Sequence, residues 1–319
     1  MDCTWRAHSR PHISGLAVLA LTVSALLAGC GGGGSNDGLP SSTSATQSIE
    51  VSPINISCSP TSMDGGDLTA DLERPQCGST AHLGKAGEGF YQQREPTEIL
   101  AVLSRLSDSM ELFYIDPLGG PLGGTDTRAV YGPISIAGQS WAFNSTAVGA
   151  VDGSSPNRTE SAAGTGSFVD RRSLQAKVSR MGKPDKSWES VGYLSSNALA
   201  VSQGSLAGKW VADDGDLITF EIDANGNMTG QEVSNGELIC GVSGSIVMAE
   251  PATAKNMYRA KFGGERNPST SANCDSAFEG WATLVVEPGR KDGKKVVGLW
   301  IAGHTSDGKL YWDYLEKQK

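Results

Sequence analysis

Beyond the first thirty residues the chain has two histidines, His82 and His304, and neither has the company that catalysis needs. His304 follows an apolar run in "IAGHTSDG", at the mouth of a turn, and reads as a solvated turn residue rather than a ligand or a base. There is no Gly-x-Ser-x-Gly elbow, no His-Glu-x-x-His and no phosphate loop. "GVSG" at 241–244 has the wrong spacing for a nucleophile, and "PLGGPLGG" at 117–124 lacks the lysine of a phosphate cradle. A calcium loop counted from Asp223 would need glycine at its sixth position and glutamate at its twelfth. The chain has Met228 and Ser234 there, so "ADDGD" and "DANGN" read as hairpin turns. These residues point to a protein that is not an enzyme, with no catalytic residue, no metal site and no cofactor.

The informative cysteine is Cys30. Arg6 and Arg10 precede an apolar segment from Ile13 to about Leu27, which has the charge and length of a signal peptide and is short for a membrane span. Small residues close it, and Leu27-Ala28-Gly29-Cys30 resembles the lipobox of bacterial lipoproteins. The resemblance implies cleavage before Cys30, a signal peptide over residues 1–29, and acyl chains on the Cys30 sulfur and nitrogen. The alternative is an ordinary secretory signal or an N-terminal membrane helix. Two or more chains anchor firmly where one binds marginally. Residues 30–56, rich in Gly, Ser, Thr and Asn after Cys30, then make a flexible leash. Gly31 follows the cysteine, where an aspartate would imply retention at the inner membrane, so the resemblance implies the outer membrane of the cell envelope.

Charge and thiols agree with that address. The chain carries a formal charge of −9. Residues 1–29 remove Arg6 and Arg10 against Asp2, which makes the remainder slightly more acidic, a poor match to nucleic acid. With Cys3 in the signal and Cys30 acylated, Cys58, Cys77, Cys240 and Cys274 remain, an even number for an oxidising compartment. Sequence proximity favours the bridges Cys58–Cys77 and Cys240–Cys274 among three possible connectivities, and no CxxC or His-rich spacing supports a metal instead.

The rest is β in pattern. "LITFEID" alternates Ile218, Phe220 and Ile222 against Thr219 and Glu221; "SLQAKVS" and "NMYRAKF" do the same. Turn signals recur at 117–124, 223–227, 290–295 and 305–309. The fold class is therefore all-β, as antiparallel barrel or sandwich units. A helical turn or two is expected only at 65–75. "AGEGFYQQREPTEILAVLS" and "LAGKWVADDGDLITFEID" look like the openings of two related units, which continue through "GTGSFV" and "GVSGSIV" to "SLQAKVSR" and "NMYRAKF". The organisation is a disulfide-bridged segment at 57–84, an N-terminal β unit at 85–203 and a C-terminal barrel at 204–319. A single continuous barrel is the alternative. The C-terminal unit has about eight strands, near Trp210, Ile218, Met228, Val242, Tyr258, Leu284, Val297 and Trp312.

"LAGKW" at 206–210 looks like the Gly-x-Trp that opens a lipocalin, and the layout resembles lipocalin-like lipoproteins and the barrel modules of the transferrin-binding protein B group. The second lipocalin signature is missing. Eight strands close around their own side chains or one small ligand. The candidate cavity residues are Trp210, Phe220, Tyr258, Trp281, Trp300 and Trp312, all expected to point inward. The expected partners are the membrane, through the anchor at Cys30, and either a small apolar ligand or an envelope protein. The alternative is an inhibitor or assembly factor for another envelope protein.

Overall fold

The computed structural model describes residues 84–93, 99–116, 126–152, 158–180, 183–213, 217–234, 236–253, 255–266, 274, 276–288 and 295–318. The lipobox, the leash, the Cys58–Cys77 pair, His82 and the 65–75 stretch lie outside them.

The first closed ring uses β1 (Gly89–Gln93), β2 (Ile99–Ser104), β3 (Ser109–Asp116), β4 (Asp126–Ala137) and β5 (Ser140–Phe143). It leaves out the hairpin of β6 (Val148–Asp152) and β7 (Arg158–Ser161). It then takes up β8 (Ala163–Val169), β9 (Ser173–Arg180) and β10 (Lys183–Tyr193). The order is β3-β2-β1-β10-β9-β8-β5-β4, and β3 pairs with β4 to shut an eight-stranded antiparallel barrel. The long β4 makes this possible. Its C-terminal half pairs with β5, and its N-terminal half pairs with β3 on one edge and β6 on the other.

Two 3-10 turns, Ser195–Ala198 and Gln203–Leu206, lead into a second barrel. This one is a plain meander of β11 (Gly208–Asp213), β12 (Leu217–Ile222), β13 (Asn227–Ser234), β14 (Glu237–Met248), β15 (Tyr258–Arg266), β16 (Ala277–Pro288), β17 (Lys295–His304) and β18 (Leu310–Lys317). Pairing of Trp210 with Lys317 and Val211 with Glu316 closes it. All eight strands fall where the alternation places them, and the chain forms two barrels rather than one.

Both openings use the same local device. Gly89 and Gly208 sit at φ values of 145° and 134°, where a Cβ would be strained. Two residues later Tyr91 and Trp210 point into their lumens, fully buried. Each bonds back to a carbonyl four residues earlier: the Tyr91 hydroxyl to Gly87 at 2.6 Å, the Trp210 indole to Leu206 at 2.8 Å. The likeness of the two openings is thus structural. It does not extend to the later segments, a correction to the repeat as read. "GTGSFV" and "SLQAKVSR" lie on β8 and β9, the sixth and seventh strands around the first ring from β1. "GVSGSIV" and "NMYRAKF" lie on β14 and β15, the fourth and fifth from β11.

The Asp223 turn behaves as its composition predicts. Its carboxylate accepts from the Asn227 side-chain amide at 2.7 Å and from the Asn227 and Asn225 backbone N–H groups, both at 2.8 Å, and these bonds, the side-chain one foremost, hold its pKa below the usual value. Cys240 on β14 and Cys274 before β16 form a disulfide, with Cα atoms 5.8 Å apart, across the intervening β15.

Candidate functional site: the lumens and the seam between the barrels

Alternation decides which side chains line each lumen. In the second barrel Trp210, Phe220 and Tyr258 face inward with Met228, Ile246, Phe262, Phe278, Leu299, Ile301 and Tyr311. Phe262 stacks on Phe278 at 5.2 Å and meets Tyr311 edge-on at 5.0 Å. The first lumen is filled in the same way by Tyr91, Leu112, Tyr114, Trp141, Phe168, Leu174 and Trp188.

Trp281, Trp300 and Trp312 are elsewhere. They project from the outer wall of the second barrel and pack on the outer wall of the first, among Phe90, Leu100, Val102, Phe113, Ala129 and Tyr131. The expectation that all six aromatics face one lumen is corrected for these three. The reason is two-sided burial: Leu299 and Ile301 already fill the inward positions of β17, so Trp300 and Ala302 between them point out. β2 does the same, with Ile99, Ala101 and Leu103 in its lumen and Leu100 and Val102 in the seam. A strand buried on both faces reads as an unbroken apolar run, and "ILAVLS" and "GLWIAG" are such runs. That signal was available in the sequence. It announces a second layer, here the other barrel.

At one end of the seam lies a polar joint. Lys255, in the β14–β15 connection, donates to Glu88 at 2.9 Å, and both side chains are almost wholly buried. Glu88 also accepts the Arg105 backbone N–H at 3.0 Å. Asn197 binds the backbone of Phe90 through both ends of its amide, at 3.0 and 2.8 Å. Asn256 treats Leu284 likewise, at 2.9 and 2.6 Å, and reaches the Ser196 carbonyl at 2.8 Å. The amides behave as short pieces of extra strand, bonding the linker to both barrels.

The other end carries the titratable residues. Glu111 on β3 faces His304 at the end of β17, with Oε1 3.8 Å from Nε2. His304 is not a solvated turn residue. Its side chain is only 21% exposed and its ring lies flat on Tyr131, centroids 3.5 Å apart. Burial drives its pKa down to about 4. Burial raises Glu111 to about 8, against the smaller opposing effects of a hydrogen bond from Trp281 and the charge of Arg259. Glu111 Oε2 and the indole nitrogens of Trp300 and Trp312 are buried without hydrogen-bond partners, while the His304 ring interacts with the Thr305 backbone. An acid kept protonated beside a neutral imidazole resembles a general acid–base pair. Here, however, both partners are pressed into an aromatic interface. Among the described residues no group of three or more His, Cys, Asp or Glu is placed to hold a metal.

An open cleft of about 280 Å³ lies between the β5–β6 turn and β7, lined by Ser145–Val148 and Thr159–Ser161. Its walls are small and polar. The chain matches no protein-family model, no curated protein and no solved structure.

Proposed function

We propose that this chain is a non-enzymatic lipoprotein of the bacterial cell envelope, anchored through Cys30 in the outer membrane, whose two-barrel body binds a protein partner across its outside surface. The observation that carries the choice of partner is the filling of the lumens. Trp210, Phe220 and Tyr258 are fully buried against their neighbours, and the remaining three aromatics of the candidate cavity are spent on joining the barrels. An eight-stranded barrel packed this way leaves its outer surface for recognition, which favours a protein over a small apolar ligand. The signal segment and the Leu-Ala-Gly-Cys match support the anchor.

Three experiments test the reading. Cys30→Ser is expected to abolish acyl labelling and to release the protein from the membrane fraction with its fold intact; a labelled, membrane-bound variant refutes the anchor. Titration of that variant with long-chain fatty acids and haem is expected to give no saturable change in tryptophan emission. Cross-linking of the lipidated protein on intact envelopes is expected to yield one discrete adduct. Saturable one-to-one ligand binding that Phe220→Ala abolishes overturns the partner reading in favour of a cavity.

A further inference from the structure

The polar groups of the seam are divided between its ends. Lys255, Glu88, Asn197 and Asn256 form a hydrogen-bonded joint at the end of the β14–β15 connection. Glu111 and His304 face each other near the β17–β18 turn, at the opposite end of the second barrel, and Glu111 Oε2 is buried there without a partner. We propose that the seam is a pH-gated joint, in which an uncharged Glu111 facing His304 across the two barrels keeps it shut and ionisation of Glu111 opens it about the Lys255 end.

The surroundings of Glu111 explain why a charge there is not tolerated. Its neighbours in the β-ladder are Val102 on β2 and Tyr131 on β4, neither of them charged. Across the seam the Trp281 indole donates to it. Arg259 on β15, 4.9 Å from the centre of the Trp281 ring, is the cation that acts on it. Glu279 on β16 opposes that cation, and Asp307 in the β17–β18 turn acts on Tyr131 from the same side. Glu279 is itself paired with Lys261 at 2.8 Å, and Arg259 is the cation that acts on Glu111, but burial outweighs it, so a negative charge in this apolar interface is left uncompensated. His304 gives no help, because its burial keeps it neutral in the pH range where Glu111 ionises. Water entering at this end would hydrate the carboxylate and supply partners for the Trp300 and Trp312 indoles, so opening relieves these three buried groups together. The opened joint exposes the aromatic face of Trp281, Trp300 and Trp312, and mild alkalinity thereby changes the surface available to a partner.

The test uses the full lipidated chain in detergent micelles, with the tryptophan emission maximum followed from pH 6 to 9. A reversible red shift with a midpoint near pH 8 is expected. Glu111→Gln is expected to remove the step. Arg259→Met, which deletes the cation favouring the charged form, is expected to move the midpoint to higher pH. A flat wild-type profile, an unaltered step in Glu111→Gln, or an unmoved midpoint in Arg259→Met overturns the proposal. The Arg259 variant decides by itself if Glu111→Gln fails to fold.

Discussion

Tyr131 of the first barrel and His304 of the second lie face to face, their planes 11° from parallel. The stack holds the imidazole beside Glu111, and the two groups titrate with opposite sign. Glu111 is raised from 4.5 to about 8, so its contribution to stability is complete below pH 4.5 and is lost as pH rises to 8. His304 is lowered from 6.5 to about 4, so its contribution is complete above pH 6.5 and is lost as pH falls to 4. Between 4.5 and 6.5 the two slopes cancel. The expected contribution of the pair is a plateau over that window and a decline from 6.5 to 8. His304→Phe keeps a ring on Tyr131 but deletes the rising limb, so the plateau becomes a continuous fall. Urea midpoints at pH 5, 6.5 and 8 for both proteins check this.

The two tryptophan environments differ in a way that phenylalanine can read. Trp210→Phe breaks the indole bond to the Leu206 carbonyl and is expected to cost about 1–3 kcal/mol for the unpaired acceptor, besides lost volume. Trp312→Phe removes an N–H that has no partner, so only the loss of packing volume remains and the cost is expected to be the smaller of the two. Trp210→Ala should cost about 3–5 kcal/mol. Denaturant melts of the three variants rank them; equal losses for the two phenylalanine variants contradict the assignment.

Lys255 and Glu88 should show strong coupling. Lys255→Met strands a buried carboxylate and is expected to cost about 3–5 kcal/mol. Adding Glu88→Gln removes that charge while keeping an acceptor for the Arg105 N–H, and should restore most of the loss. A double-mutant cycle measures the interaction, and simple additivity would show that the pair contributes nothing specific.

The Cys240–Cys274 bridge spans 34 residues of sequence. A loop of that size constrains the unfolded chain by about 4 kcal/mol on the chain-entropy account. Replacing both cysteines by serine should lower the melting temperature without changing the strand content seen by circular dichroism. Peptide mapping of the oxidised protein is expected to recover this pair, and Cys58 with Cys77.

The strands of the second barrel were legible because each presents one apolar face between turn residues that name themselves, as Ile218, Phe220 and Ile222 do before "DANGN". The direction of its tryptophans was not, because an aromatic residue announces burial without saying on which side of the wall. Trp300 could be placed only by noticing that Leu299 and Ile301 beside it also need cover. Glu111 carried a signal of its own, a single carboxylate inside the apolar "MELFY". Its partner could not be read, since His304 lies 193 positions away and no local pattern links them. The joint at Lys255 was equally hidden. It depends on two asparagine side chains replacing backbone, and asparagine otherwise signals only a turn.

The difference in strand order between the barrels also has a consequence for biogenesis. Every pairing of the second barrel joins consecutive strands until Trp210 meets Lys317 at the end, whereas the first must bring Tyr91 to Tyr193 and loop past a whole hairpin. Local hairpins form early and distant pairings late, so the first barrel is the slow folder although it leaves the ribosome first. Until β16 to β18 emerge, the Leu100 and Val102 face of β2 lacks the cover of Trp281, Trp300 and Trp312. The first half of the chain is thus left waiting for strands near the other end of the sequence, and truncation near the C-terminus should cause aggregation of the half that is still present.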